Sequence, residues 1–197
     1  PVTFPSVLVN TSSGTAVGMA SSLAPFNINE VINCTIAYIN NPDIDVSEYI
    51  KAPDFPTGGN IIYDQKSLAH IYETGKGSFK IRATYRMDGN SIIFEEIPYT
   101  TTFEAIIEKI SLLVKEGKLK EIVDIDDIYG INTKGIEVTV KSSANKALLV
   151  EKLFRMTPLE DTFSCNFNLI VNGRPKILGL KQIIQEWVAF RANTIKR

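Results

Sequence analysis

The sequence predicts an α+β fold from three observations. Helix-period apolar stripes start behind capping residues, alternating runs of strand length lie between them, and turn dipeptides of hairpin type join several of those runs. Helical and strand signals follow one another irregularly, without the repeating strand–helix–strand unit of a doubly wound parallel sheet.

The first helix is predicted over 27–40. Asn27 and Glu30 make a cap pair, and Ile28, Val31, Ile32, Ile36 and Ile39 form one apolar stripe. Asn40-Asn41-Pro42 ends it, because a residue before proline is pushed out of the helical region. After the loop Asp54-Phe55-Pro56-Thr57-Gly58-Gly59 come a short apolar strand over 61–63 and a short helix over 67–73 that stops at Gly75. Two strands over 78–87 and 91–97 flank Asp88-Gly89-Asn90, a hairpin signal.

Thr101 and Glu104 form a capping box for a helix running to Glu116. Its buried stripe is Phe103, Ile106, Ile107, Ile110, Leu113 and Val114, and Gly117 closes it. Asp124, Asp126 and Asp127 read as a solvated acidic turn. A strand over 135–141 and a helix over 143–156 follow. Strands over 163–171 and 175–178 meet across Asn172-Gly173, and a last helix over 180–197 carries no stop signal.

Composition excludes several classes. With 44% hydrophobic and 22% charged residues the 197-residue chain is globular rather than disordered. It has no apolar run long enough for a membrane span and no secretory leader, so a cytoplasmic location and no membrane partner are expected. A start at Pro1-Val2 rather than methionine leads us to expect an internal segment of a longer protein. Cys34 and Cys165 sit among apolar neighbours and are expected as buried thiols. The net charge of -1 means that any nucleic-acid contact must come from a local patch.

No reaction centre emerges, and no catalytic residue and no metal site is assigned. His70, the sole histidine, lies within a short helix with no nucleophile elbow nearby. One histidine and two isolated cysteines cannot assemble a zinc site. Thr74-Gly75-Lys76-Gly77 lacks the spacing of a phosphate loop.

The run 78–87 is the most informative pattern. Side chains alternate faces along a strand, so Lys80, Arg82, Thr84 and Arg86 are expected on one face, with Lys76 preceding them. Cations at every second residue suit a phosphate backbone. The competing reading pairs Arg82 with Glu95 across the hairpin, where an exposed ion pair contributes little.

Several longer motifs carry a resemblance. Phe4-Pro5-Ser6-Val7-Leu8-Val9-Asn10-Thr11-Ser12-Ser13-Gly14-Thr15-Ala16-Val17-Gly18-Met19-Ala20 resembles the segment after the active-site tyrosine in the A subunit of bacterial DNA gyrase and topoisomerase IV. Pro53-Asp54-Phe55-Pro56-Thr57-Gly58-Gly59, Tyr72-Glu73-Thr74-Gly75-Lys76-Gly77-Ser78 and Gly173-Arg174-Pro175-Lys176 are similar to later motifs of that family, in the same order. The resemblance implies a winged-helix remnant over 1–20, the α+β tower domain over 21–179 and the root of a coiled-coil arm from 180 to 197. It implies a DNA-gate segment of an ATP-dependent type IIA topoisomerase that binds and bends the gate duplex during double-strand passage.

The nucleophilic tyrosine would lie upstream; none of the seven tyrosines here sits in its motif, so the segment alone is expected to be inactive. Implied partners are double-stranded DNA, the B subunit and a second copy of the A subunit in an A2B2 enzyme. ATP and Mg²⁺ enter through the B subunit, and none is bound by this segment. The implied DNA-binding residues are Thr15, Lys76, Lys80, Arg82 and Arg86. Thr15 stands where the family usually has an isoleucine that wedges between base steps, a substitution that weakens the wedge by about 1 kcal/mol on buried area. Phe26 replaces a common histidine, Thr11 a common glycine, and Thr101-Thr102 a common Asn-Lys pair, as in a divergent branch. A reading from another class is a protein-interaction module that assembles through the 180–197 helix, whose Leu180, Ile183, Ile184, Trp187 and Val188 form a wide apolar stripe.

Overall fold

A computed structural model of the chain describes residues 2–197; Pro1, where the expected winged-helix remnant begins, lies outside them. The first half forms β1 (Ser12–Ala16), β2 (Met19–Leu23), α1 (Ile28–Asn40), β3 (Asn60–Ile62), α2 (Gln65–Thr74), β4 (Lys76–Arg82), β5 (Thr84–Asp88) and β6 (Ser91–Glu96). The second half forms α3 (Phe103–Lys115), β7 (Ile122–Tyr129), β8 (Lys134–Val140), α4 (Lys146–Met156), β9 (Glu160–Asn166), β10 (Asn168–Val171), β11 (Arg174–Ile177) and α5 (Leu180–Lys196). Helices alternate with strands whose described pairings are antiparallel, the α+β class expected. Among the described residues no helix is long and apolar enough to cross a membrane. The chain divides into two compact units.

The first unit comprises residues up to Phe55, Tyr63–Phe79 and Ser164–Arg197. α1 opens as its sequence predicts: the Asn27 side chain accepts the backbone N–H groups of Asn29 and Glu30 at 3.0 and 3.3 Å. Its isoleucine stripe, however, is not its buried face. Val31, Cys34 and Thr35 are buried, while Ile28, Ile36 and Ile39 are exposed. Thr35 tolerates the core because its hydroxyl donates to the Val31 carbonyl at 2.7 Å and so is not left unpaired. Cys34 and Cys165 are buried thiols, pushed up to about 11 and about 12 by burial, and behave as small hydrophobes.

Phe26 centres this core, meeting Tyr72 and Phe167 edge-on at 5.8 and 6.4 Å between ring centroids. α2 ends at Gly75 with φ 74°, as the sequence predicts, and the Gly75 N–H donates to the Ile71 carbonyl at 2.8 Å. There two stretches of backbone lie close together. A Cβ on Gly75 would strike the Leu178 carbonyl, and one on Gly179 the carbonyls of Tyr72 and Glu73. The approach seats Gly179 as the cap of α5, which then buries Leu180, Ile183 and Ile184. The β10–β11 hairpin turns at Asn172 and Gly173, φ 51° and 77°, as its dipeptide predicts.

The second unit comprises Pro56–Ile62 and Lys80–Phe163. Its four-stranded sheet has the order β5-β6-β8-β7. Ile92 faces Val138 and Phe94 faces Ile136 across β6 and β8, so one face is continuous and apolar. Ile106, Ile110 and Leu113 of α3 and Leu149, Val150, Leu153 and Phe154 of α4 complete the core cluster on it. α3 is capped by Thr102, one residue later than predicted, whose hydroxyl accepts the Ala105 N–H at 3.2 Å. It closes with Gly117 N–H to Val114 and Lys118 N–H to Leu113, both 3.0 Å, the Schellman arrangement expected of Gly117. Residues 124–127 are not a turn but part of β7, held by a long ladder with β8. Their carboxylates are exposed, which lets an acidic run live on a strand. The expected strand over 163–171 is likewise two strands, β9 and β10, interrupted at Phe167, which is fully buried.

Gly75→Ala combines a left-handed backbone with a backbone collision. It should cost at least about 1–2 kcal/mol of stability, read as a lower urea midpoint.

Candidate nucleic-acid interface

The expected cationic strand is broken. β4 ends at Arg82 and β5 begins at Thr84, so residues 78–87 are not one strand. Ala83 between them is buried in the core cluster, and its N–H donates to the Leu159 carbonyl at 2.8 Å. Phe79, Ile81 and Ala83 are all buried, so the alternation runs through Ala83 and fails at the exposed Tyr85, and Arg86 belongs to a different sheet from Lys80 and Arg82.

Lys80 and Arg82 still share a face of β4, with Ile81 buried behind them. Both converge on Glu160 at the start of β9. The Arg82 Nη2 and Nε lie 2.6 and 2.7 Å from Glu160 Oε2, and the Lys80 Nζ lies 3.4 Å from Oε1. The Arg82 guanidinium also stacks over the Phe154 ring, 4.6 Å from its centroid. Burial pulls the Glu160 carboxyl upward, but the Arg82 and Lys80 contacts outweigh it and hold the group below its ordinary range. The expected Arg82–Glu95 pair does not form. The turn sits at Gly89-Asn90, with Asp88 opposite Ser91 and a bulge between Thr84 and Tyr85. Glu95 is instead taken by Arg86, Nε to Oε1 at 2.8 Å, with Asp88 further off at 3.8 Å. The hydrogen bond to Glu95 raises the Arg86 pKa.

Farther along the same unit, Asp126 faces Glu137 across the β7–β8 ladder. Its carboxyl is raised by Asp124 first, with burial and Glu137 adding to it. This surface repels a phosphate.

In the first unit, Thr15 lies on an exposed antiparallel hairpin. It faces Ala20, and Ala16 faces Met19 around a two-residue turn at Val17-Gly18. Gly18 takes φ 80° and Val17 is fully exposed at the tip. Lys76, also exposed, starts β4; its N–H donates to the Thr74 hydroxyl at 3.2 Å, tying it to the end of α2. His70 is exposed on α2. Of the predicted site residues, then, Lys80 and Arg82 are brought together, Arg86 is set on another sheet of the same unit, and Thr15 and Lys76 belong to the other unit.

A family profile for the A subunit of DNA gyrase and topoisomerase IV matches residues 1–197. The chain belongs to that family. Among its relatives there, it is 39% identical over 206 residues to the DNA gyrase A subunit of Leptospira biflexa, covering 99% of this chain and 24% of the relative. It is 39% identical over 205 residues to the DNA gyrase A subunit of Borreliella burgdorferi, covering 100% of this chain and 25% of the relative. A probable chloroplastic/mitochondrial DNA gyrase A subunit of Oryza sativa is 36% identical over 207 residues, covering 100% and 22%. The chain thus spans about a quarter of the length of the curated relatives it matches.

Sequence reasoning missed two participants in this family member's charged cluster, Glu160 and Phe154. Glu160 is 78 residues from Arg82, and no local signal marks it. The β1–β2 hairpin did have a signal, the Val17-Gly18 dipeptide between two short runs.

Because the Glu160 carboxyl is held below its unfolded value, its pairing stabilises the fold above the ordinary carboxylate range of about 4.3 and is lost as pH falls through the lowered value. The stability gap between wild type and Glu160→Gln should therefore be largest near neutral pH and shrink in acid, as read by urea unfolding across that range.

Proposed function

We propose that this chain is the DNA-gate support within the A subunit of a type IIA topoisomerase. The observation that carries the reading is the family match along its whole length. On this reading residues 1–20 end a winged-helix domain, 21–179 form the tower, and the helix from Leu180 begins a coiled-coil arm. The whole enzyme is an A2B2 assembly, cytoplasmic and associated with the nucleoid. A tyrosine supplied upstream attacks a phosphodiester, and the tyrosyl ester conserves the energy needed for resealing. ATP and Mg²⁺ are held through the B subunit.

The role of this segment is to bind the gate duplex and keep it bent. Smooth bending of a duplex costs on the order of 1–6 kcal/mol, offset by the backbone contacts that the bend permits. Lys76, Lys80, Arg82 and Arg86 are the cations proposed to set the charge that faces the duplex, and the exposure of Lys76 and Lys80 supports direct contacts by those two. Thr15, on an exposed hairpin, is proposed to approach the kinked base step. Threonine keeps the β-branch of the family isoleucine but presents less apolar surface, so the wedge is weaker. A second reading, a protein-interaction module, is favoured by one observation: Phe190 and Ile195 are exposed on α5.

The deciding experiment extends the chain through its natural upstream residues and adds the B subunit, supercoiled DNA and Mg²⁺. Denaturant should trap protein covalently attached to cut DNA with the extended chain and not with residues 1–197 alone. No adduct from folded, assembled protein would count against the gate reading and favour the interaction module. In the same assembly Thr15→Ile should shorten the end-to-end distance of a doubly labelled duplex, measured by energy transfer. An unchanged distance would remove Thr15 from the kink.

A further inference from the structure

Two cations here are built around one carboxylate. Glu160 spends Oε2 on the Nε and Nη2 of Arg82 and offers Oε1 to Lys80. Its side chain is 13% exposed, against 34% for Arg82 and 59% for Lys80. The guanidinium edge that Glu160 occupies, with Nε and Nη2 both on one oxygen, is a donor pair that would also serve a phosphate oxygen. With Phe154 stacked under it, Arg82 cannot turn outward without leaving both its ring and its anion. Lys80 is different. Its single contact is long, it is the most exposed of the three, and an ammonium on a flexible stem exchanges partners readily.

We propose that Glu160 is an internal counter-anion. It occupies the place a DNA phosphate would take at Arg82, limits duplex affinity, and leaves Lys80 as the exchangeable contact. The inference rests on the DNA-binding reading above. The cluster of Lys80, Arg82 and Glu160 then presents one net positive charge to a duplex rather than two. Arg82 is a positioning residue: its alignment on Glu160 keeps the carboxylate where Lys80 can reach it. A backbone phosphate competes with Glu160 for Lys80 alone.

Salt dependence separates this from a purely structural ion pair. Each phosphate neutralised adds about 0.9 to the slope of log affinity against log salt, so one extra contact makes Kd about 3.5-fold more sensitive to a fourfold change in salt.

The test is fluorescence anisotropy of a short labelled duplex, titrated at several salt concentrations with the 197-residue chain and with the full-length A subunit. Glu160→Gln should bind tighter at low salt, with a slope steeper by about 0.9, although it is less stable to urea. Glu160→Asp keeps the charge and should return affinity and slope to the wild-type values. Lys80→Ala should weaken binding and lose about 0.9 of slope, whereas Arg82→Gln should change the slope less. Those two variants carry the test should Glu160→Gln fail to fold, and equal slope losses in both would overturn the proposal. If wild type binds and Lys80→Ala weakens it, but Glu160→Gln leaves affinity and slope unchanged, Glu160 is a structural pair only and the DNA reading stands. If neither wild type nor Glu160→Gln binds the duplex, both readings fall.

Discussion

One backbone hydrogen bond organises the charged part of this molecule. The Ala83 N–H reaches the Leu159 carbonyl at 2.8 Å and draws a small residue into the core. Two consequences follow. The chain leaves β4 and enters a second sheet as β5, so a run that looks like one strand serves two. The residue after Leu159 is then delivered beside the residue before Ala83, which places Glu160 against Arg82. Alanine suits the position because a larger side chain would have to displace the surrounding core, and overpacking a filled interior is costly.

The same bond explains why the surface is less cationic than the primary structure suggests. Three positive residues at alternate positions would make a strip able to track a phosphate backbone. In the folded chain Arg82 is shared between a carboxylate and an aromatic face, and Arg86 is matched to Glu95 on the neighbouring strand. Lys80 keeps the looser contact. On β7 of the same unit the carboxylates are exposed, and Asp124 raises the Asp126 carboxyl. In this member of the gyrase/topoisomerase IV family, Lys80, Arg82 and Arg86 are each held by an anion.

Much of the local structure was legible beforehand, because it rests on short-range physics. Asn27 caps α1 through its own side chain, Gly75 and Gly117 stop their helices, and Asn172-Gly173 turns its hairpin, each within four or five residues of sequence. The long-range features were not. The buried face of α1 runs through Val31, Cys34 and Thr35, and the more hydrophobic isoleucines face outward. Apolarity alone points to the wrong side there, since a threonine that bonds its own helix backbone can be buried at little cost. Asp124, Asp126 and Asp127 read as a turn by composition, yet a ladder to β8 holds them in a strand.

The sequence by itself determined the α+β class, the Asn27 cap, the glycine stops at Gly75 and Gly117, the Asn172-Gly173 turn, and the family, since ordered motifs identify a lineage without any coordinates. Only the tertiary structure decided which cations are engaged. Arg82 and Glu160 are separated by 78 positions, and a contact at that separation depends on how two strands are brought side by side. Charge pairing is set by distance in space, which local periodicity does not encode.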